Sequence, residues 1–325
     1  MRAIVCSTVG SIDDLQVEDV AAPTLRSRTV RIQVHSAGLN FVDALFVQGK
    51  YQIKPATPFI PGSEVAGIIS EVADDVTTAQ VGDRVVVSCG LGGFSEEIVA
   101  SIEGVAHVPA GLSLAAASTM IQSYSTALYA LRDRANIGSG QQVLVLGAGG
   151  GVGVAAVQVS RALGATVIGC ASTAEKRELA ARAGATTLIE ASPATLKDLV
   201  REASLGGVDI VVDPIGGEMA DPALRCLRDG GRYLVIGFAA GTIPSLPANQ
   251  ILLRNRSVLG IDWGSWAMNN AAAQHDLLGD VLAMAEGGSI TPPEPTSYRF
   301  EDVTQALHDL LNRRVAGKAA LSLKP

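Results

Sequence analysis

The sequence is short of three things, and each shortage closes off a class of protein. Cysteine is scarce: Cys6, Cys89, Cys170 and Cys226 are its four thiols, scattered with no C-x-x-C pair. No two histidines stand at helical spacing either, so a disulfide framework or a structural zinc site is not expected. Charge is scarce, at 18% of residues with a net value of −7, which argues against a nucleic-acid or anionic-membrane partner. That balance leaves room for a phosphate ligand, whose binding is local. Long apolar runs are missing, and nothing approaches the roughly 20 residues of a membrane span. The opening Met1-Arg2-Ala3-Ile4-Val5 reads as a first strand and lacks the apolar core of a signal peptide. A soluble protein of a reducing, cytoplasmic compartment is the expectation. What is plentiful is apolar side chain, 48% of 325 residues, enough for two well-buried domains.

The chain changes character near its middle. Up to residue 115 or so it is β-rich, with an alternating run Val30-Arg31-Ile32-Gln33-Val34, then 65–72, then Asp83-Arg84-Val85-Val86-Val87 after the turn Val81-Gly82. Prolines and glycines punctuate these short strands, as in a small barrel with long loops. A helical stretch over 113–134 follows. From Gln142 strands alternate with helices: strands at 142–146, 166–171, 186–190, 208–213 and 232–238, helices near 173–183, 193–203 and 218–228. Ser192-Pro193 reads as a helix start, a capping hydroxyl followed by proline at the first helical position. Such alternation predicts a parallel sheet covered on both faces. Beyond 257 come a strand (258–261), a helix near 275–286, and a last helix and strand.

The stretch 142–153, Gln-Val-Leu-Val-Leu-Gly-Ala-Gly-Gly-Gly-Val-Gly, runs from a buried strand through a glycine turn into an apolar helix. That build suits a dinucleotide pyrophosphate: glycines permit the sharp turn and close approach, and the helix's first N–H groups face the anion. The spacing departs from the plain G-x-G-x-x-G, so two registers are open, one from Gly147 and one from Ala148. Gly147, Gly150, Gly151, Val152 and Gly153 are the candidate phosphate contacts. An acid at the end of the second strand, about 20 residues past such a turn, binds the ribose 2′-hydroxyl of NAD. This chain has Ala171 there, followed by Ser172, Lys176 and Arg177, a set that suits a 2′-phosphate and so NADP(H). Alternatively, Ser172 or Thr173 caps the helix and the cations are simply solvated.

Four segments resemble the zinc-free quinone oxidoreductase, zeta-crystallin-like branch of the medium-chain dehydrogenase/reductase superfamily. They are Ala37-Gly38-Leu39-Asn40-Phe41-Val42-Asp43 with Gly49-Lys50-Tyr51; Pro61-Gly62-Ser63-Glu64-Val65-Ala66-Gly67 leading to Val81-Gly82-Asp83-Arg84-Val85; the glycine turn; and Ile243-Pro244 through Pro247-Ala248-Asn249 to Trp263-Gly264. The resemblance implies an α/β fold in which a Rossmann doubly wound parallel sheet (119–261) is inserted in a GroES-like β-barrel domain (1–118, completed by 262–325). The active site is then expected in the cleft between the domains. It also implies a homodimer, pairing through the sheet edge near 258–261.

By family position, Asn40 and Thr126 lie near the nicotinamide, Asp43 fixes the loop, and Tyr51 borders the substrate. Asn40, Asp43 and Tyr51 are thus the candidate catalytic residues. Asp213, Ile236, Gly237, Phe238 and Trp263 follow strand ends on the cofactor side and are further candidate contacts. Structural alternatives stand beside these: turn bonding for Asn40 and Asp43, packing for Tyr51, Phe238 and Trp263. Where zinc-dependent relatives carry their metal ligands, this chain has Asn40, Ser63 and, nearby, Gln122, which do not make a Cys/His site, so no metal is expected. His35, His107, His275 and His308 are isolated and read as surface or structural residues. The expected activity is metal-free hydride transfer from NADPH to a quinone or similar small conjugated acceptor. Reduction of an activated carbon–carbon double bond is the nearest alternative, and a non-enzymatic dinucleotide-binding protein a third.

Overall fold

The computed structural model describes residues 1–204 and 206–324. The chain divides into two units. One comprises Met1–Gln122, Leu278–Glu286 and the stretch from Pro292 onward; the other comprises Ser123–Leu277 and Gly287–Thr291. The segment 262–277, read from the sequence with the barrel, groups with the second unit. Contacts inside that unit account for this: Trp266 of the helix Trp263–Asn269 stacks on Tyr129 at 4.6 Å between ring centroids, and Trp263 Nε1 donates to Gln274 Oε1 at 2.7 Å.

The first unit is built on an antiparallel sheet centred on the long strand Thr29–Leu39, which pairs with Glu64–Val72 and with Glu97–Ser101. Arg84–Ser88 and Val105–His107 extend it on one side. On the other side Ala319–Ser322 pairs antiparallel with Thr29–Leu39 and carries Thr296–Arg299 beside it. The end of the chain therefore completes a sheet begun by its start. Side chains from both ends share one apolar core, in which Ile32, Leu39, Ile69 and Phe94 join Phe300, Leu307 and Leu321.

The second unit contains, among the described residues, a six-stranded sheet in the order Thr187–Glu190, Thr166–Ala171, Gln142–Leu146, Val208–Asp213, Leu227–Val235, Ser257–Gly260, and every pairing is parallel. The inner strands are buried almost throughout, as expected of strands covered on both faces. Read by chain position the order is 3-2-1-4-5-6, so the direction of winding reverses between Gln142–Leu146 and Val208–Asp213. In doubly wound sheets ligands bind at the carboxyl ends of the strands at such a reversal.

Beyond shifts at element ends, such as the strand expected at 232–238 that runs Leu227–Val235, two local readings differ from the structure. The helix expected from Pro193 begins at Leu196, because the Ser192 carbonyl first accepts from Thr195 and Leu196 N–H and closes a turn. The helical stretch over 113–134 is broken into Leu114–Ala117, Ile121–Leu128 and a π-helical Tyr129–Arg134.

Candidate active site

The glycine turn follows Leu146, and Gly147, Gly149 and Gly153 each have a separate steric reason. Gly147 adopts φ +60, the left-handed region that favours glycine, and its carbonyl accepts from Gly150 N–H at 2.9 Å. A methyl group on Gly153 would stand 2.0 Å from the Gly147 carbonyl oxygen, and one on Gly149 would stand 2.5 Å from the Lys176 carbonyl oxygen. Gly150 caps the helix Gly151–Ala162 at its start, and a methyl there meets nothing closer than 3.4 Å. Gly147 and Gly153 are thus fixed as glycine by the turn itself. Gly149 is used differently, to let the next helix pack against the turn. The first N–H groups of an α-helix lack intrahelical acceptors. Those of Gly151, Val152 and Gly153 thus begin a helix at the point where the sheet's winding reverses.

The neighbouring strand Thr166–Ala171 ends without an acid, and Ser172 after it is exposed. Thr173 caps the helix Ala174–Ala183 by accepting from Lys176 N–H at 3.2 Å. Arg177 is held in place: its Nη1 donates to the Ala171 carbonyl at 3.2 Å, and its Nη2 lies 3.8 Å from Glu190 at the end of the next strand. A guanidinium thus sits at the carboxyl end of the second strand, where the NAD-type acid would stand.

Asp213 closes the fourth strand and is 1% exposed. Its Oδ1 accepts from the N–H groups of Ile215 and Gly216, both at 2.8 Å, and its Oδ2 accepts from the Tyr233 hydroxyl at 2.5 Å. Oδ1 thus holds a turn while Oδ2 ties to the neighbouring strand, and that turn seats Ile215 against Gly147: a methyl on Gly147 would come within 2.6 Å of Ile215 Cδ1. Ile236 N–H donates to the Asp213 carbonyl at 2.9 Å, with Gly237 and a 38% exposed Phe238 following. Gly147, Ser172, Asp213 and Ile236 therefore lie together along one edge of the sheet. Trp263 is near that edge in sequence, after Ser257–Gly260, but its ring is buried. Thr126 is half-buried on the helix Ile121–Leu128, away from these strand ends in sequence.

The first unit gathers a second set. At the start of the helix Phe41–Val47, Asn40 N–H donates to Asp43 Oδ2 at 2.8 Å and Asp43 N–H donates to the Asn40 backbone carbonyl at 3.1 Å. Ser63 Oγ donates to Asp43 Oδ1 at 2.9 Å. The Asn40 side-chain amide donates to Glu64 Oε1 at 2.9 Å, and Gln122 N–H reaches Glu64 Oε2 at 3.0 Å. Lys318, from the far end of the chain, donates to Asn40 Oδ1 at 2.5 Å and to Glu64 Oε1 at 2.9 Å. Glu64 is fully buried. Tyr51 packs edge-on against Phe46, with 4.9 Å between ring centroids. Sequence reasoning missed Lys318 and passed over Glu64. The lysine's only signal is a cation immediately ahead of an apolar strand, and its partner is 254 residues away.

Burial pushes the Asp43 carboxyl up to about 7, outweighing the hydrogen bonds from Asn40 and Ser63 and the attraction of Lys318. The same burial, reinforced by Asp43, pushes the nearby Cys89 thiol up to about 12. An unfolded Asp titrates near 3.9, so between about pH 4 and pH 7 the unfolded chain releases this proton while the folded chain keeps it. Stability is therefore expected to fall across that window, by an amount on the order of 4 kcal/mol from this group. Asp43→Asn keeps an acceptor for Asn40 N–H and removes the titration. Urea midpoints between pH 4.5 and 7.5 should decline less steeply for the variant than for the wild type; parallel curves would contradict the assignment.

Among the described residues no cluster of three or more His, Cys, Asp or Glu side chains could hold a metal ion, and no helix is long and apolar enough to cross a membrane. Residues 26–110 match the alcohol dehydrogenase GroES-like domain family, and residues 151–277 match the zinc-binding dehydrogenase family. Quinone oxidoreductase-like protein 2 of Bos taurus is 37% identical over 325 residues, which cover 99% of this chain and 93% of that protein. The quinone oxidoreductase of Mus musculus is 33% identical over 318 residues, covering 96% and 94%. Among solved structures, the Escherichia coli quinone oxidoreductase complexed with NADPH gives a TM-score of 0.88 at 26% identity, covering 99% of this chain and 100% of that one. A mycobacterial protein complexed with NADPH gives 0.90 at 28% identity, with the same coverage. With both units matched and relatives aligned over nearly its whole length, the chain belongs to the medium-chain dehydrogenase/reductase superfamily, in its quinone oxidoreductase branch.

Proposed function

We propose that this protein is an NADPH-dependent oxidoreductase that reduces a quinone or similar conjugated acceptor without a metal. The observation that carries the cofactor reading is the glycine turn at the sheet's reversal point, followed by a second strand that ends in Ala171 and is flanked by Arg177. The residues fit NADP(H). The approach to Gly150 is open, the N–H groups of Gly151, Val152 and Gly153 suit a pyrophosphate, and Ser172, Lys176 and Arg177 suit a 2′-phosphate. The quinone oxidoreductase of Escherichia coli and the mycobacterial relative, both complexed with NADPH, support the same choice. Bound NADPH supplies a hydride from C4 of its nicotinamide ring.

The protein's own contribution is binding, orientation and exclusion of water. By family position Asn40 would offer its amide to the nicotinamide and Tyr51 with Leu45 and Phe46 would border a flat apolar acceptor, while Asp43 and Ser63 hold the loop that carries Asn40. The metal-free reading rests on the donor set. An amide and a hydroxyl stand at the positions of zinc ligands, and the Lys318 ammonium, 2.9 Å from Glu64, already supplies a cation there. A quinone suits such a site, because its reduced oxygen is protonated by water without a dedicated acid.

Steady-state assays test the reading. NADPH should be oxidised by a small quinone with a Michaelis constant well below that for NADH; activity confined to an α,β-unsaturated carbonyl would assign alkene reduction instead. Arg177→Ala should raise the Michaelis constant for NADPH by about tenfold, the equivalent of one charge-assisted hydrogen bond, and leave that for NADH unchanged. An equal change for both cofactors would show that Arg177 only supports the fold.

A further inference from the structure

We propose that Lys318 is a positioning residue for hydride transfer, its ammonium fixing the direction of the Asn40 amide and balancing the buried Glu64 carboxylate. The inference rests on the functional reading above for Asn40, but its geometry stands independently. Lysine can only donate, so the Asn40 atom 2.5 Å from Nζ must be the carbonyl oxygen. Glu64 Oε1, which accepts from Lys318, also accepts from Asn40 Nδ2 at 2.9 Å. Cation, carboxylate and amide thus form a closed triangle in which the amide has one favourable orientation. Glu64 Oε2 is tied separately to Gln122 N–H at 3.0 Å.

The triangle is built into the fold. The Glu64 side chain is fully buried and that of Lys318 is 11% exposed. Gly38 makes room for the carboxylate, since a methyl there would stand 2.9 Å from Glu64 Oε1 and 2.1 Å from the Ser118 carbonyl. Lys318 immediately precedes the strand Ala319–Ser322, whose pairing with the strand Thr29–Leu39 runs Ala319 against Leu39. The register that completes the sheet therefore also brings Lys318 beside Asn40. A buried ion pair adds little net stability by itself, but loss of one partner strands the other. Here the group that the pair fixes is the amide assigned to the nicotinamide.

The test uses Lys318→Met and the double variant Lys318→Met/Glu64→Gln in the full-length protein. The single variant should lower the urea midpoint and reduce kcat for NADPH oxidation about tenfold or more, with KM for NADPH within about twofold, the pattern of an interaction that matters in the transition state. The double variant removes the stranded carboxylate, so the midpoint should recover most of its loss while kcat stays low, because a glutamine amide at position 64 can pair with either end of the Asn40 amide and no longer fixes its direction. Recovery of both would make Lys318 purely structural and overturn the proposal, as would a single variant indistinguishable from wild type. A further readout needs no turnover: the side-chain amide protons of Asn40, observed by NMR, should exchange slowly in wild type and faster in both variants. If wild type fails to oxidise NADPH with any acceptor, the functional reading falls while this exchange still decides whether Lys318 orients Asn40. Unchanged exchange rates would overturn the proposal.

Discussion

Gly153→Ala is expected to weaken NADPH binding by about 100-fold and to destabilise the fold by about 1–3 kcal/mol, the usual range for a group forced into filled space. The added methyl would stand 2.0 Å from the carbonyl oxygen of Gly147 and 2.7 Å from its carbonyl carbon, both backbone atoms that cannot swing aside. Either the helix Gly151–Ala162 moves away from the turn or the turn opens. In both cases the first N–H groups lose their common aim, and two charge-assisted hydrogen bonds at ~1.5 kcal/mol each amount to roughly 100-fold. Gly150→Ala is the informative partner. Its φ of −96 suits alanine, and its methyl would meet nothing closer than 3.4 Å. Folding should change by under about 1 kcal/mol, the difference between glycine and alanine at a helix start, whereas NADPH affinity should fall as the methyl enters the phosphate's approach. Thermal melts and cofactor titrations on the two variants separate the effects. Equal affinity losses with equal destabilisation would mean that Gly150 serves the fold alone.

Asp213→Ala should cost about 3–5 kcal/mol of stability and weaken NADPH binding with it. The substitution leaves the buried Tyr233 hydroxyl and the N–H groups of Ile215 and Gly216 without their acceptor, and each such loss in a buried setting costs about 1–3 kcal/mol before relaxation. The effect reaches the cofactor because Ile215, held by this carboxylate, is packed against Gly147. Asp213→Asn keeps an acceptor for the two N–H groups and a donor toward Tyr233, so it should lose less than half as much. Urea unfolding checks the order. Equal losses for the two variants would show that the carboxylate's charge matters and the turn geometry does not.

Much of this was legible in the sequence, for reasons that differ by residue. The strand–turn–helix at 142–153 was readable because its information is local: a buried apolar strand, glycines where a side chain would collide, and a helix at once. Which of its glycines the turn requires was not, since that depends on what each missing methyl would meet, and those partners include Lys176 and Ile215 from later segments. Turn bonding of Asn40 and Asp43 was readable locally, but the partners of the Asn40 side chain, Glu64 and Lys318, pair across 254 residues. No periodicity marks such a pair. Asp213 drew notice as a polar residue ending an apolar strand; that Tyr233 and two backbone groups already use both its oxygens is visible only in three dimensions. Trp263 read equally as contact or core, and its ring is buried with its N–H on Gln274.

The assay that bears most directly on the proposed chemistry is NADPH consumption with a small quinone after exhaustive treatment with a strong chelator. Full activity without metal is expected, unchanged when zinc is added back, because Lys318 and not a metal balances Glu64. Activity that disappears on chelation and returns with zinc would contradict it.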